Sequence, residues 1–167
     1  MAQPDYSGTT KQQLAELFSR SLYTIDGLWF LALEEKYGLD TAVEMDVAVW
    51  RRFSLIHARR ALKTLAIKED SPVKTFIRLL EEDPVLTIFK TKIVELSDSK
   101  AVFRYTECPP QRARIRDGRG EYPCKAVGLT LFSSYAEVID PGLKLTCLFC
   151  PPDTHPQETW CKWQIEI

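Results

Sequence analysis

Apolar positions recur at helical spacing through the first half of the chain. Thr9 with Gln12 has the form of a capping box, which predicts a first helix over Lys11 to Arg20. In "SLYTIDGLWFLALEEKYG" the residues Leu22, Ile25, Trp29, Leu33 and Tyr37 keep the helical period, and Gly38 sits where a helix-ending glycine belongs. The middle of this second helix, "GLWFLAL", is apolar all round, which predicts a central position. A third, long helix starts near Asp40, with Val43, Val47, Trp50, Ser54, His57 and Ala61 along one stripe. Ser71 as N-cap and Pro72 at the first helical position open a fourth helix that ends near Glu82.

After Pro84 the period changes from helical to alternating. "VLTIFKTKIVEL" and "AVFRYTEC" read as strands joined by the turn "SDSK". "PPQRARIRDGRGEYP" reads as a basic loop, and "CKAVGLTLFSSYAEVID" as a helix with Pro123 near its start. "LKLTCLF" and "TWCKWQIEI" are the last two strands. Four helices followed by β-β-α-β-β predict an α+β fold: an N-terminal helical layer, about 10–82, then a ββαββ unit with a four-stranded antiparallel sheet, about 84–167. The 167 residues fit a single domain, 1–167.

Composition narrows the function classes. With 22 basic and 23 acidic residues the net charge is -1, without the basic excess of a dedicated nucleic-acid binder. The longest apolar run, Leu28 to Leu33, is far shorter than a membrane span, and "MAQPDYSGTTKQQ" lacks the form of a secretory leader. The expectation is a cytoplasmic protein that engages neither nucleic acid nor membrane. Cytoplasmic thiols are normally reduced, so clustered cysteines there suggest metal or catalysis before disulfides.

The cysteines are clustered. Cys108, Cys124, Cys147, Cys150 and Cys161 all fall in the last third. A hairpin centred on Thr154 would set Cys147 across from Cys161, both on the apolar face of their strands. Cys108 ends the second strand, and Cys124 begins the helix expected to cover that face. Cys108, Cys124, Cys147 and Cys161 could therefore converge as a four-thiolate zinc site, and the same donors suit an iron–sulfur cluster. A second set, Cys147, Cys150, His155 and Cys161, has the spacing C-x2-C-x4-H-x5-C, one residue longer than a zinc knuckle. Strand alternation would send Cys147 and Cys150 to opposite faces unless the strand ends or bulges between them. The bland alternative is a set of small buried thiols.

Other residues carry weaker signals. His57 on the apolar stripe is a metal ligand, a base or a satisfied core residue. Asp26 and Glu34, two turns apart, are acid/base candidates or partners of nearby arginines. Arg112, Arg114, Arg116 and Arg119 crowd one segment, and Arg112 and Arg114 are the anion-binding candidates.

The succession "YTEC", "YPCKAVG", "IDPGLKL" and "WCKW" resembles small cytosolic bacterial proteins grouped near the L-2-amino-thiazoline-4-carboxylic acid hydrolase family. It is also similar to the 4-vinyl-reductase type of ligand-binding domain. The resemblance implies an internal pocket between helices and sheet, with Cys108, Cys124 and Cys161 matching best. Trp29, Phe30 and Leu33 would form the pocket wall, with His57 on the neighbouring helix. The chain departs from the hydrolase pattern at Cys147 and in the loop "CPPDTHP". The reading that follows is a small-molecule-binding or sensing module beside a cysteine-held zinc. The alternatives are a hydrolase of cyclic thio-amino-acid type, an iron–sulfur redox protein, or a scaffold that forms a homodimer through exposed aromatics.

Overall fold

The computed structural model describes residues 6–167. The reading of the N-terminal segment as leaderless falls in part on residues 1–5, outside the described residues. Helix α1 (Lys11–Tyr37) is continuous where two helices were expected. Neither Arg20 nor Ser21 breaks a helix, and the Glu16–Arg20 pair, one turn apart, ties the joint together. Its capping box uses Thr10 and Gln13, one residue later than expected: Thr10 N–H donates to Gln13 Oε1 at 2.9 Å, and Gln13 N–H to Thr10 Oγ1 at 3.1 Å. Thr9-Thr10 and Gln12-Gln13 are duplicated, so spacing alone cannot choose the register.

Gly38, at a φ of 88°, joins α1 to α2 (Leu39–Thr64). A positive φ is cheap only for glycine, and it lets two long helices fold back on each other within one residue. Helix α3 (Pro72–Glu82) begins as expected, with Ser71 Oγ accepting from Lys74 N–H at 3.1 Å. "PVL" then forms a short 3-10 turn (Pro84–Leu86) instead of the start of a strand. Pro84 cannot donate to a sheet, and Asp83 caps the turn by accepting from Val85 N–H at 2.8 Å.

The sheet comprises β1 (Thr91–Leu96), β2 (Lys100–Tyr105), β3 (Lys144–Phe149) and β4 (Cys161–Glu166). Its order is β1-β2-β4-β3 and every pair is antiparallel. The fold is α+β with an N-terminal helical layer. Between β2 and β3 the chain forms α4 (Pro109–Arg116) and α5 (Lys125–Ile139). The basic segment expected as a loop is thus largely helical. Pro109 and Pro110 preset its first turn, and Arg114 and Arg116 stand in its last turn, where the helix dipole favours cations.

The register differs from the expected hairpin. Cys147 pairs with Trp163, and a register shift lies between Cys147 and Phe149. Cys161 pairs instead with Tyr105 of β2. The connection from Cys150 to Trp160 is asymmetric: it turns at Cys150–Asp153, where Asp153 N–H reaches Cys150 O at 2.9 Å. It turns again at Pro156–Thr159.

One sheet face carries the row Phe103–Trp163–Cys147 and the row Ala101–Ile165–Leu145. Helices α3 and α5 cover that face, α2 packs on α5, and α1 packs on α2. Phe132 of α5 meets Trp163, Phe103 and Tyr105 with ring centroids 5.0, 5.3 and 5.9 Å away. Asp83, at 0% exposure, ties the layers together. Its Oδ1 lies 2.8 Å from His57 Nε2 of α2, and its Oδ2 accepts from Tyr135 O–H of α5 at 2.6 Å.

Gly128 of α5 lies against the fully buried Trp163, and a β-carbon there would come within 2.8 Å of the ring. Alanine normally stabilises a helix interior over glycine by about 1 kcal/mol. Here an overpacking cost of roughly 1–3 kcal/mol should exceed that gain. Gly128→Ala is expected to lower the unfolding midpoint by several degrees. An unchanged or raised midpoint in thermal melts would contradict this packing.

Candidate functional site

Two adjoining cavities lie beside α1, and the inner one reaches the sheet. The outer one, about 430 Å3, opens between α1 and α4. The inner one, about 90 Å3, reaches down to α5 and the sheet. Tyr23, Asp26, Pro110 and Tyr122 line both, so the two are continuous in their walls. The outer volume falls within the range of small-molecule sites, about 300–1,000 Å3.

Four thiols line the inner chamber: Cys108, Cys124, Cys150 and Cys161. Each arrives on a different piece of chain. Cys108 N-caps α4, Cys124 precedes α5, Cys150 follows β3, and Cys161 opens β4. Cys150 is 2% exposed and Cys161 9%. The end of β3 frees Cys150 from strand alternation, so it turns inward. Cys147 sits one strand pair away and does not line the chamber. The convergent set therefore holds Cys150 in the place expected for Cys147.

All five cysteines are free thiols. Cys124 Sγ lies 3.6 Å from Cys150 Sγ and accepts from Gln111 Nε2 at 3.2 Å. The Cys150 contact, then Gln111, hold the Cys124 thiol below its ordinary pKa. Hydrogen bonds to Cys124 and Cys161, then burial, push Cys150 the other way. Burial raises Cys108, and it raises Cys147 to about 11. The thiols are thus placed as a hydrogen-bonded network. Among the described residues, no three His, Cys, Asp or Glu side chains surround a common point as a metal site would.

Sequence reasoning placed other residues differently. His155 hydrogen-bonds Glu121 at 3.2 Å and Pro156 O at 3.0 Å, and is not among the chamber residues. His57 is satisfied by Asp83 and stacked on Phe53, and lines neither cavity. Its stripe faces the core, where a histidine needs a partner, and Asp83 supplies it. Phe30 lines the outer cavity as expected. Trp29 is 67% exposed and Leu33 is half-buried outside both linings, because one helix turns only part of its apolar girdle inward. Arg112 is exposed and paired with Glu107. Arg114 is buried and grips Glu34 with two bonds, 2.6 and 3.1 Å, so neither guanidinium is free for an anion. Arg114 therefore clamps α4 to α1 and closes the outer cavity on one side.

Two carboxylates in the cavity wall are different. Asp26 and Asp46 both line the outer cavity. Burial raises Asp26 to about 6. Burial, with the charge of Asp26 beside it, raises Asp46 to about 7, while a hydrogen bond from Trp50 acts against both shifts. Asp46 has no motif around it in the sequence. Its position one turn before Trp50 on the inward stripe was the available signal.

A raised folded-state pKa is stabilising below the unfolded value and is lost as pH climbs through the folded one. Asp46 should therefore cost stability between about pH 4 and pH 8. Asp46→Asn removes that charge, and its stability should improve relative to the parent from about pH 5 to about pH 8 by at least ~1 kcal/mol. Urea unfolding at both pH values checks this; a difference that does not change with pH would contradict the buried carboxylate.

No curated protein matches the chain. The same residues that build the helical layer, the thiol chamber and the sheet are spanned by one family model, matching residues 7–167, and the chain belongs to that family of unknown function, DUF6125.

Proposed function

We propose that the protein is a small-molecule-binding or sensing module whose inner chamber carries a thiolate-held zinc. One observation carries this reading: four thiols from four separate chain segments line one cavity. Buried cysteines scattered through a core would not share one chamber wall beneath a larger pocket. Cys108, Cys124, Cys150 and Cys161 would hold the ion. The donor set is chemically apt, since four sulfurs and no carboxylate favour a soft ion. The 3.6 Å between Cys124 and Cys150 is near the ~3.8 Å edge of a tetrahedron with ~2.3 Å zinc–sulfur bonds. Binding would displace thiol protons, replacing the S–H hydrogen bonds with metal bonds and rotating Cys108 and Cys161 inward.

Zinc bound by four thiolates would supply a fixed charge and a structural tie at the floor of the pocket. Such a closed site leaves no position for water, which favours binding over the hydrolase alternative. A four-iron cluster takes one cysteine per iron and spaces those sulfurs more widely than a single ion does, so the short Cys124–Cys150 distance favours zinc over that cluster.

The reading includes a second copy of the chain as partner. Phe18, Ile25 and Trp29 form an exposed stripe on α1, and Met45, Val49 and Ile56 form one on α2. Six such side chains, at roughly 100 Å2 apiece, approach the ~800 Å2 per partner of a standard interface.

Protein prepared under zinc-replete, reducing conditions is expected to contain one zinc per chain by elemental analysis. Cys150→Ser should lose most of it and Cys147→Ser should keep it. Metal-free protein would contradict the zinc reading, as would equal loss in both variants. Sedimentation should give twice the chain mass, and Trp29→Glu should halve it. A parent that sediments as a monomer would remove the homodimer.

A further inference from the structure

We propose that the outer cavity takes a protonated amine, held by Asp26 and Asp46, with the apolar body of the ligand against the neighbouring rings. This rests on the small-molecule reading above and names the ligand class for that pocket. The charge distribution around the cavity supports it. Four guanidiniums line the cavity, and each already has its own carboxylate. Arg20 pairs with Glu16 at 2.7 Å, and Arg114 with Glu34 at 2.6 Å. Arg116 pairs with Asp117 at 3.1 Å, and Arg119 with Glu35 at 3.0 Å. Asp26 and Asp46 are left over. They lie on two helices that pack together, they line the same cavity, and no cation acts on either among the described residues.

Asp46 is 9% exposed. A carboxylate that deeply placed, with a hydrogen bond from Trp50 but no cation beside it, is costly to ionise, and two of them on one cavity repel. An ammonium group answers both costs, because it neutralises the pair and donates hydrogen bonds to each. A neutral hydroxyl offers one donor and no charge, and an anion would face two carboxylates that no arginine pairs with, every arginine of the lining being engaged elsewhere.

The rings fit the same ligand. Tyr23 and Tyr122 line both cavities, Phe30 lines the outer one, and Trp50 lines the inner one. Tyr23 stacks on Trp50 with centroids 5.6 Å apart, and Phe30 meets Tyr122 at 5.1 Å. The Arg114 guanidinium already lies over the Phe30 and Tyr122 rings, 5.7 and 5.6 Å from their centroids, so these rings offer apolar contact to the ligand's carbon skeleton. The ligand class is therefore an amine on a compact apolar or aromatic body, within a volume of about 430 Å3.

Binding should depend on pH in a definite direction. Asp26 and Asp46 gain charge as pH passes about 6 and about 7. An alkylammonium keeps its proton across that range, as lysine does. Arg20 and Tyr23 of α1, Arg114 and Arg116 of α4, and Asp117, Arg119 and Tyr122 after it also face the cavity. Burial holds both tyrosines far above that range. Amine affinity should thus rise between about pH 5 and about pH 8.

The test uses calorimetric titration of the full chain with three probes of one shape: 2-phenylethylamine, 2-phenylethanol and 3-phenylpropionate. The amine should bind at least ~10-fold more tightly than the alcohol at about pH 8, and should weaken at least ~5-fold at about pH 5. Asp46→Asn and Asp26→Asn should each remove most of that preference, with circular dichroism spectra and cooperative unfolding like the parent's showing that both variants are folded. Equal or tighter binding of the alcohol or the carboxylate would overturn the amine assignment and leave the small-molecule reading standing. Failure of all three probes at millimolar concentration would overturn both.

Discussion

Asp83 is the point on which the arrangement hangs. It is buried to 0% exposure at the end of α3, where the chain leaves the helical layer for the sheet. It meets His57 of α2, Tyr135 of α5 and the backbone of Val85. Each partner belongs to a different element, so one side chain fixes the spacing of three. A polar group so deeply buried is tolerated only because its bonds are made, and removing one partner would expose the desolvation cost of the others. The 3-10 turn held by Asp83 also presents Val85 O to Ser19 Oγ at 2.9 Å, which seats α1 on the same anchor.

The pocket follows from that seating. With α1 held at Ser19 and near its far end by the Arg114–Glu34 clamp, its middle spans the opening above the sheet. The segment between the two ties carries Tyr23, Asp26 and Phe30 toward the cavity. Helix α4 supplies the opposite wall. Gln111, at 0% exposure, holds the return of the chain by bonding Tyr122 O at 2.9 Å, accepting from Tyr122 N–H at 3.1 Å and donating to the Cys124 sulfur. The thiol chamber is thus built by the same short stretch that closes the outer cavity. The outer cavity and the thiol chamber share Tyr23, Asp26, Pro110 and Tyr122 in their walls.

Much of this was legible in the sequence. The change of period at Pro84 located the boundary between helices and strands, and Ser71-Pro72 and Gly38 marked ends that local chemistry enforces. The clustering of all five cysteines in the last third announced a shared location. The particular set was hidden, because it depends on where β3 ends and on a register shift after Cys147 that alternation cannot show. A thiol just past a strand end is free to turn either way, and Cys150 turns inward. The basic segment misled through its charge, since a short amphipathic helix with one buried arginine reads like a solvated loop until its partner, Glu34, is known from far along the chain. Asp26 and Asp46 could not be paired from sequence, as their proximity comes from the turn at Gly38 and the packing of α1 on α2.

The four cysteine sulfurs that line the inner chamber are proposed to bind one zinc. Zinc K-edge X-ray absorption on the purified protein tests it most directly. A single shell of four sulfurs at about 2.3 Å is the predicted result. A shell containing nitrogen or oxygen neighbours, or fewer than four sulfurs, would contradict it.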